Sequence, residues 1–525
     1  MNAVILAAGK ASRFAPISYE KPKGFLTVKG EVLIERQIRQ LREAGIEAIT
    51  IVVGYMAERF EYLKAGFGVK IVYNDDYDRY NSCSSLFKVI DELADTYICS
   101  SDNYFSHNVF QEKSRDSYYA AVYSAGPTSE YCLETDVNDN IVAVKEGGAD
   151  SWYMRGHCFV NREFSGRFRE ILKKEYKLGQ TRQGYWEDLY IKHIKELPPF
   201  KVRRYQARDI EEFDTLEDLR RFDIKYINDT DCKIMQDICG VLQCEEKDIC
   251  DISVLKGGMT NSSFVFLCSK DAIKYVYRHP GRGTETFINR KSEYFSMQII
   301  KNYKLDRTFV YMHPTEGWKI SYYLENARTL DYHNAEELSQ ALSLLGRLHS
   351  LNITSPYPYR LWDAAMGFLQ KIQALHIDDT PDFYLLKDNI ETLYDYACKD
   401  GWPECLNHCD AYYNNFLIGP DGEMSLIDWE YSGQGDMAQD LGSFIACSSL
   451  AYDEALLAID YYLGHKATKA ELRHYLAYVA IASYFWYLWA IYQEANSIDT
   501  GDFMSLWHNY LYLYYGKAIE LYREQ

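Results

Sequence analysis

The chain has no surplus of positive charge. Its 57 Lys and Arg face 76 Asp and Glu, a formal net charge of −19; binding a phosphate backbone needs concentrated cations, so nucleic acid is excluded as the main partner. There is no C-x-x-C pair among the 13 cysteines, a pattern that reads as small buried thiols in a reducing, cytoplasmic setting. Cys405, His408 and Cys409 lie close together, yet no second pair completes a four-ligand metal set. A secretory pattern is absent from the start, where a short apolar run leads directly to Gly9 and Arg13. Long hydrophobic runs are equally scarce. Only YLAYVAIASYFWYLWAIY, Tyr475 to Tyr492, is uncharged over a membrane-like length. Its Tyr and Trp are spread along it instead of gathered at the ends, which predicts a buried helix and no membrane insertion.

What is present is length and two successive patterns. A chain of 525 residues exceeds one ordinary core and suggests about two to four domains. From Met1 to about Asn228, AVILAAG, AITIVVGY, VKIVYN and DTYICSSDN read as strands, and Leu33 to Ala44 as a helix stopped by Gly45. This alternation predicts an α/β, Rossmann-like domain over 1–228, with an open, mostly parallel sheet and ligands at the carboxyl ends of its strands. Beyond it, SVLKGGMTNSSFVFLC and AIKYVYRHPG read as paired strands, and helices dominate from Ala335 onward. The second domain is therefore placed at 229–525. Charge divides unevenly between the two: 33 Lys and Arg against 35 Asp and Glu before the boundary, 24 against 41 after it. An acidic second half suits a cationic small molecule, and equally a solvated acidic surface.

In LAAGKASRF a strand ends in Ala7, Ala8 and Gly9, small residues that let backbone N–H groups approach phosphates, and Arg13 adds a fork of donors. Downstream, KPKGF sets Lys23 between Pro22 and Gly24. SSDN puts Asp102 at the end of an apolar strand, and GYWEDLY supplies Glu187 and Asp188. Together these segments, with GFGVKIVYND, the YNS turn and EEFDTLEDL, resemble the bacterial phosphocholine cytidylyltransferases over nearly all of the first part. The resemblance implies CTP as substrate, Lys23 beside its triphosphate, and Mg²⁺ on Asp102 and Glu187 with Asp188 as the neighbouring candidate. The family usually has Gly at Ala11. Trimethylammonium offers no hydrogen-bond donor and needs aromatic faces and negative charge; Tyr131, Tyr185, Trp186 and Glu212 are candidates for holding it.

The second part contains LNHCDAYYNNFLIGPDGEMSLIDWEY. His408, Asp410 and Asn415 fit H-x-D-x-x-x-x-N, and Asp428 follows in an apolar segment, the order in which kinase folds present a catalytic base, a metal-binding Asn and a metal-binding Asp. Asp410 is the expected base, Asn415 and Asp428 the Mg²⁺ ligands, and His408 a scaffold for the loop. The D-F-G and A-P-E segments of protein kinases are missing, which disfavours a protein substrate. Upstream, Gly257, Gly258, Thr260 and Asn261 would cover the nucleotide phosphates, with Arg278 as a strand-borne cation held by Glu293. Trp486 and Trp489, three apart on one helix face, present two indoles to a quaternary ammonium. GGMTN, YVYRHPGRGTE, HCDAYYNN, IDWEY and FWYLW resemble the choline/ethanolamine kinase family, which often has Gln at the Tyr412 position. The implied enzyme uses ATP to phosphorylate choline in a protein-kinase-like, two-lobed α+β domain, then CTP to convert phosphocholine to CDP-choline. A sugar-1-phosphate nucleotidyltransferase fused to an ethanolamine- or aminoglycoside-type kinase is the alternative.

Overall fold

The computed structural model describes residues 1–110, 114–255, 261–281, 284, 288–377, 382–496, 498 and 500–524. Contacts divide the chain into two units, Met1–Val254 with Cys268–Lys270, and Leu255–Leu267 with Asp271–Gln525.

The first unit is built on a seven-stranded sheet in the spatial order Lys201–Tyr205, Tyr118–Thr135, Ile141–Val160, Thr96–Ser100, Asn2–Ala7, Ala48–Val53, Lys70–Tyr73. The central strand Asn2–Ala7 is parallel to both neighbours, pairing Ile5 with Ile51 on one side and with Cys99 on the other. Strands buried on both faces read as continuous apolar runs, and NAVILA and AITIVV do so. Only Ile141–Val160 runs against its neighbours. Two apolar layers cover the sheet: one holds Ile5, Ile38, Ile51 and Tyr97, the other Val4, Val52, Leu86 and Phe164. The helix Leu33–Glu43 follows as read, with Gly45 at φ 80° beyond its end. Residues 229–254 belong by contacts to this unit. Glu20 accepts hydrogen bonds from the backbone N–H groups of Lys233 and Ile234 at 3.1 and 2.7 Å. Arg220 donates to the carbonyls of Glu246 and Ile249 at 2.8 and 2.6 Å.

In the second unit, strands Ile273–Pro280, Lys319–Tyr322 and Phe309–Met312 form an antiparallel run, followed by a mainly helical body. Its core gathers the helix Ala335–Ser350, the helix Ala438–Cys447 and the long helix Lys469–Ala495. Short antiparallel strand pairs carry the chemistry-bearing loops: Glu404–Asn407 pairs with Gly433–Asp436, and Phe416–Ile418 with Met424–Leu426. The helix Lys469–Ala495 is long and apolar enough to cross a membrane, but 78% of its apolar window is buried in protein.

Candidate active sites

The first site opens at the carboxyl end of Asn2–Ala7. Ser101 N–H donates to the Leu6 carbonyl at 3.1 Å and Tyr55 N–H to that of Ala8 at 3.0 Å, so the neighbouring strands hold the start of the loop. Ala7 still pairs with Val53. Ala8, Gly9 and Arg13 then line a cleft of about 430 Å³ whose far wall includes Tyr77, Ser82 and Tyr185. Ala11 takes a left-handed φ of 48°. This is the position where the resembling family has glycine, and a Cβ there costs on the order of 1 kcal/mol.

Lys23 enters the same cleft from a turn that Gly24 lets pass close to Ser101, where an added Cβ would sit 3.2 Å from the Ser101 Cβ. Its ammonium lies 2.7 Å from Asp102 Oδ2 and 3.7 Å from Asp214 Oδ1. Burial works against the Lys23 charge, but Asp102, with Glu212 and Asp214 nearby, outweighs it and holds the amine above the ordinary lysine range. Ser100 fixes the other Asp102 oxygen at 2.6 Å. Arg13 reaches Asp214 at 3.2 Å. Burial, reinforced by Asp102, pushes the Glu212 carboxyl up to about 7.

The carboxylate brought towards Asp102 across Lys23 is Asp214, whereas Glu187 accepts from the Tyr119 hydroxyl at 3.1 Å, where burial pushes it up to about 7. Asp188 is a helix cap: one oxygen takes the Tyr185 N–H at 2.7 Å and the other the Tyr131 hydroxyl at 2.6 Å. Trp186 is also reassigned. It is 3% exposed and packs between Tyr119 and Phe168, so its indole belongs to the core. Tyr185 is exposed and lines the cleft. Asp102 and Asp214 both face the Lys23 ammonium, and carboxylates beside phosphate oxygens are the ligand type a divalent metal ion would take. Among the described residues no group of three or more His, Cys, Asp or Glu forms a ready-made metal site.

In the second unit Gly257, Gly258 and Thr260 lie outside the described residues. Asn261 is described, and its amide donates to Glu430 at 2.8 Å. Arg278 is buried, 2.6 Å from Glu293 Oε1 and 3.5 Å from Asp428 Oδ1. Glu293, fully buried on the helix Arg290–Ile300, also meets Arg290 at 2.8 Å. Burial alone would raise its carboxyl, but Arg278 and Lys319 hold it down to about 2.

The loop after Asn407 is held from below. The fully buried Asp440 accepts the His408 N–H at 2.8 Å, the Cys409 N–H at 2.6 Å and His349 Nε2 at 3.0 Å. His349 in turn meets the Tyr462 hydroxyl at 2.6 Å. Cys409 is left-handed at φ 68°, as is Asp428 at φ 65°. His408 bonds the Ile427 carbonyl at 2.8 Å and burial lowers its basicity, leaving it a neutral scaffold. The Asn415 amide nitrogen donates to both the backbone oxygen and Oδ2 of Asp410, at 2.8 and 3.0 Å. Burial and the nearby Asp428 raise the Asp410 carboxyl well above the usual range. Two carboxylates in mutual repulsion beside an amide fit a divalent cation, which would relieve that repulsion.

Trp486 and Trp489 meet at 5.7 Å, and Trp507 stacks on Trp486 at 5.7 Å. Trp507 is anchored to the Ala446 carbonyl at 3.1 Å. Sequence reasoning missed Asp214, Asp440 and Trp507. Asp214 stands in the quoted EEFDT segment, whereas the other two lie beyond every quoted motif.

Residues 3–109 match the MobA-like NTP transferase domain model, and residues 252–478 match the choline/ethanolamine kinase model. The choline-phosphate cytidylyltransferase of Streptococcus pneumoniae is 36% identical over 42% of this chain and 97% of its own length. The chain belongs to the choline-phosphate cytidylyltransferase family. The second unit carries a choline/ethanolamine kinase domain, so the chain is a fusion of two transferases. A 2-aminoethylphosphonate cytidylyltransferase of Lancefieldella rimae is 33% identical over 43% of this chain and 93% of that protein. The choline kinase LicA structure from Streptococcus pneumoniae is 22% identical, covering 56% of this chain and 99% of that one with a TM-score of 0.44. In this cytidylyltransferase family member, the loop, Lys23 and the Asp102–Asp214 pair all lie within the first unit.

Proposed function

We propose that the chain catalyses two consecutive steps of CDP-choline synthesis. In the second unit choline is phosphorylated from ATP; in the first the phosphocholine so formed reacts with CTP, releasing pyrophosphate. The observation that supports choline as substrate is the cluster of three indoles, Trp486, Trp489 and Trp507, in the same unit as Asp410. A quaternary ammonium is held by aromatic faces with negative charge nearby, and we assign the hydroxyl of the same small molecule to Asp410.

In the kinase step Asp410 orients the choline hydroxyl and accepts its proton as the oxygen attacks the γ-phosphorus of ATP and ADP leaves. Asn415 fixes the Asp410 carboxylate, and Arg278 contributes a buried cation backed by Glu293. In the cytidylyl step a phosphate oxygen of phosphocholine attacks the α-phosphorus of CTP, the bond to pyrophosphate breaks, and Lys23 and Arg13 offset the charge of the triphosphate. Asp428 with Asn415, and Asp102 with Asp214, would hold Mg²⁺, which when bound neutralises phosphate charge and orients the leaving group. Tyr131, Tyr185 and Glu212 remain the proposed phosphocholine contacts. We place the enzyme in the cytoplasm, with small molecules rather than nucleic acid as its partners.

The test incubates the full chain with ATP, CTP and Mg²⁺ plus choline or ethanolamine, and in separate arms with CTP plus phosphocholine or 2-aminoethylphosphonate, following products by mass. Phosphocholine followed by CDP-choline is the expected sequence. Preference for ethanolamine in the first step, or for the phosphonate in the second, would overturn the choline assignment.

A further inference from the structure

Away from both sites, three cysteines meet at one helix end. The helix Lys233–Leu242 stops at Gln243, whose φ of 53° is left-handed, and the Cys244 N–H donates to the Cys239 carbonyl at 3.2 Å. That closure is a Schellman turn, which folds the side chain after the turn back onto the one five positions earlier. It brings Cys244 back beside Cys239, and each thiol lies within electrostatic range of the other. Cys268, at the end of the strand Asn261–Cys268, is brought to the same spot. Its neighbour Ser269 donates its N–H to the Asp248 carbonyl at 2.8 Å, and its thiol lies within electrostatic range of Cys244. All three belong to the first unit. Cys268 is buried, whereas Cys239 and Cys244 are partly exposed. Cys244 is therefore a partly exposed residue whose thiol has two further thiols near it.

We propose that Cys239, Cys244 and Cys268 form a thiol–disulfide exchange site, entered at Cys244 and oxidised by a low-molecular-weight disulfide such as glutathione disulfide. Cys244 loses its proton to water, and its sulfur attacks one sulfur of the disulfide. The S–S bond breaks, one thiolate leaves, and a mixed disulfide remains on Cys244. The deprotonated sulfur of Cys239 or Cys268 then attacks the Cys244 sulfur and displaces the second thiolate. Two protein thiols lose two electrons in total, and the small disulfide gains them to become two thiols. Burial pushes the Cys239 thiol up to about 11 and raises Cys244 further. The reactive thiolate fraction is thus small near neutrality, and exchange quickens as pH rises. The exposed Cys398 is the internal contrast. Its hydrogen-bonding neighbour is Tyr394 rather than a second thiol, so a mixed disulfide formed there has nothing to resolve it.

The full-length chain is treated with glutathione disulfide under native conditions, quenched in acid, alkylated and mapped by peptide mass. The expected products are an internal disulfide joining Cys244 to Cys239 or Cys268, and a persistent glutathione adduct on Cys398. The rate of internal bond formation should rise by roughly tenfold per pH unit while the thiols remain mostly protonated. Cys244→Ser should leave Cys239 and Cys268 reduced and both transfer activities unchanged; should that variant misfold, the unmutated chain's map still decides. Cys244 recovered as a free thiol after Cys398 is fully modified, or holding glutathione as stably as Cys398, would overturn the proposal.

Discussion

Asp440 offers the sharpest test of how the kinase loop is built. Its two oxygens satisfy the backbone N–H groups of His408 and Cys409 and the Nε2 of His349, all buried. Cys409 pays the cost of a left-handed backbone at φ 68°, about 1–3 kcal/mol for a residue with a side chain, immediately before Asp410. Asp440→Asn keeps the shape but turns one acceptor into a donor. If the amide oxygen keeps Cys409, its nitrogen faces the His408 N–H, and two donors then oppose each other at 2.8 Å. Leaving a buried donor unsatisfied costs about 1–3 kcal/mol, comparable to the strain being held, so the loop should relax. A displacement near 1 Å at a catalytic group costs roughly 100-fold in rate. We therefore expect kcat for choline phosphorylation to fall about 100-fold, with a much smaller change in the KM for choline. Cytidylyl transfer from supplied phosphocholine should be unaffected. His349→Gln, which retains a donor for Asp440, should lose far less. A kcat within twofold of the unmutated chain, with only the melting temperature lowered, would refute the argument and leave Asp440 a purely structural residue.

Four further outcomes are expected. Asp410→Ala should abolish choline phosphorylation while sparing CDP-choline formation from phosphocholine, and Asp102→Ala should do the reverse; loss of both activities in either folded variant contradicts independent sites. Asp214→Asn should raise the Mg²⁺ concentration needed for cytidylyl transfer more than Glu187→Gln does, and equal Mg²⁺ titrations would restore Glu187 as the metal ligand. Replacing Trp486, Trp489 or Trp507 by Leu should raise the choline KM by about 2- to 30-fold, matching roughly 0.5–2 kcal/mol for a lost cation–π contact; an unchanged KM removes the indoles from the pocket. His157 is fully buried beside Tyr118, and burial followed by Arg203 holds it down to about 3, so it stays neutral when folded and protonates near 6.5 when unfolded. The unfolded state then binds more protons, and stability should fall as pH drops from about 6.5 towards 3, by up to about 1.4 kcal/mol per unit. His157→Gln should flatten that slope in urea titrations, and an identical slope in the variant would show that other groups cause it.

Much of the fold was legible because its signals are local. Buried parallel strands require continuous apolar runs, so Asn2–Ala7 and Ala48–Val53 could be read directly, and Gly45 marked a helix end because its φ of 80° suits glycine. The motif residues were legible for the same reason: His408, Asp410 and Asn415 sit on one short loop, and Arg278 and Glu293 on adjacent elements. Trp186 misled because an aromatic beside two carboxylates looks the same in sequence whether its ring faces a ligand or Tyr119. Asp188 reads two ways, because a carboxylate three residues into a helix is both a possible ligand and a natural cap.

The sequence alone determined which chemistries the chain carries, since small residues before a basic loop and an ordered His, Asp and Asn are constrained within a few positions of one another. Only the tertiary structure decided which distant residues come together. Asp214 reaches Lys23 across 191 positions, Asp440 supports a loop 31 positions upstream, and Trp507 joins indoles on another helix. No periodicity encodes such pairings. They follow from how strands and helices pack once hydrophobic burial has fixed their faces, and that packing is a property of the whole chain.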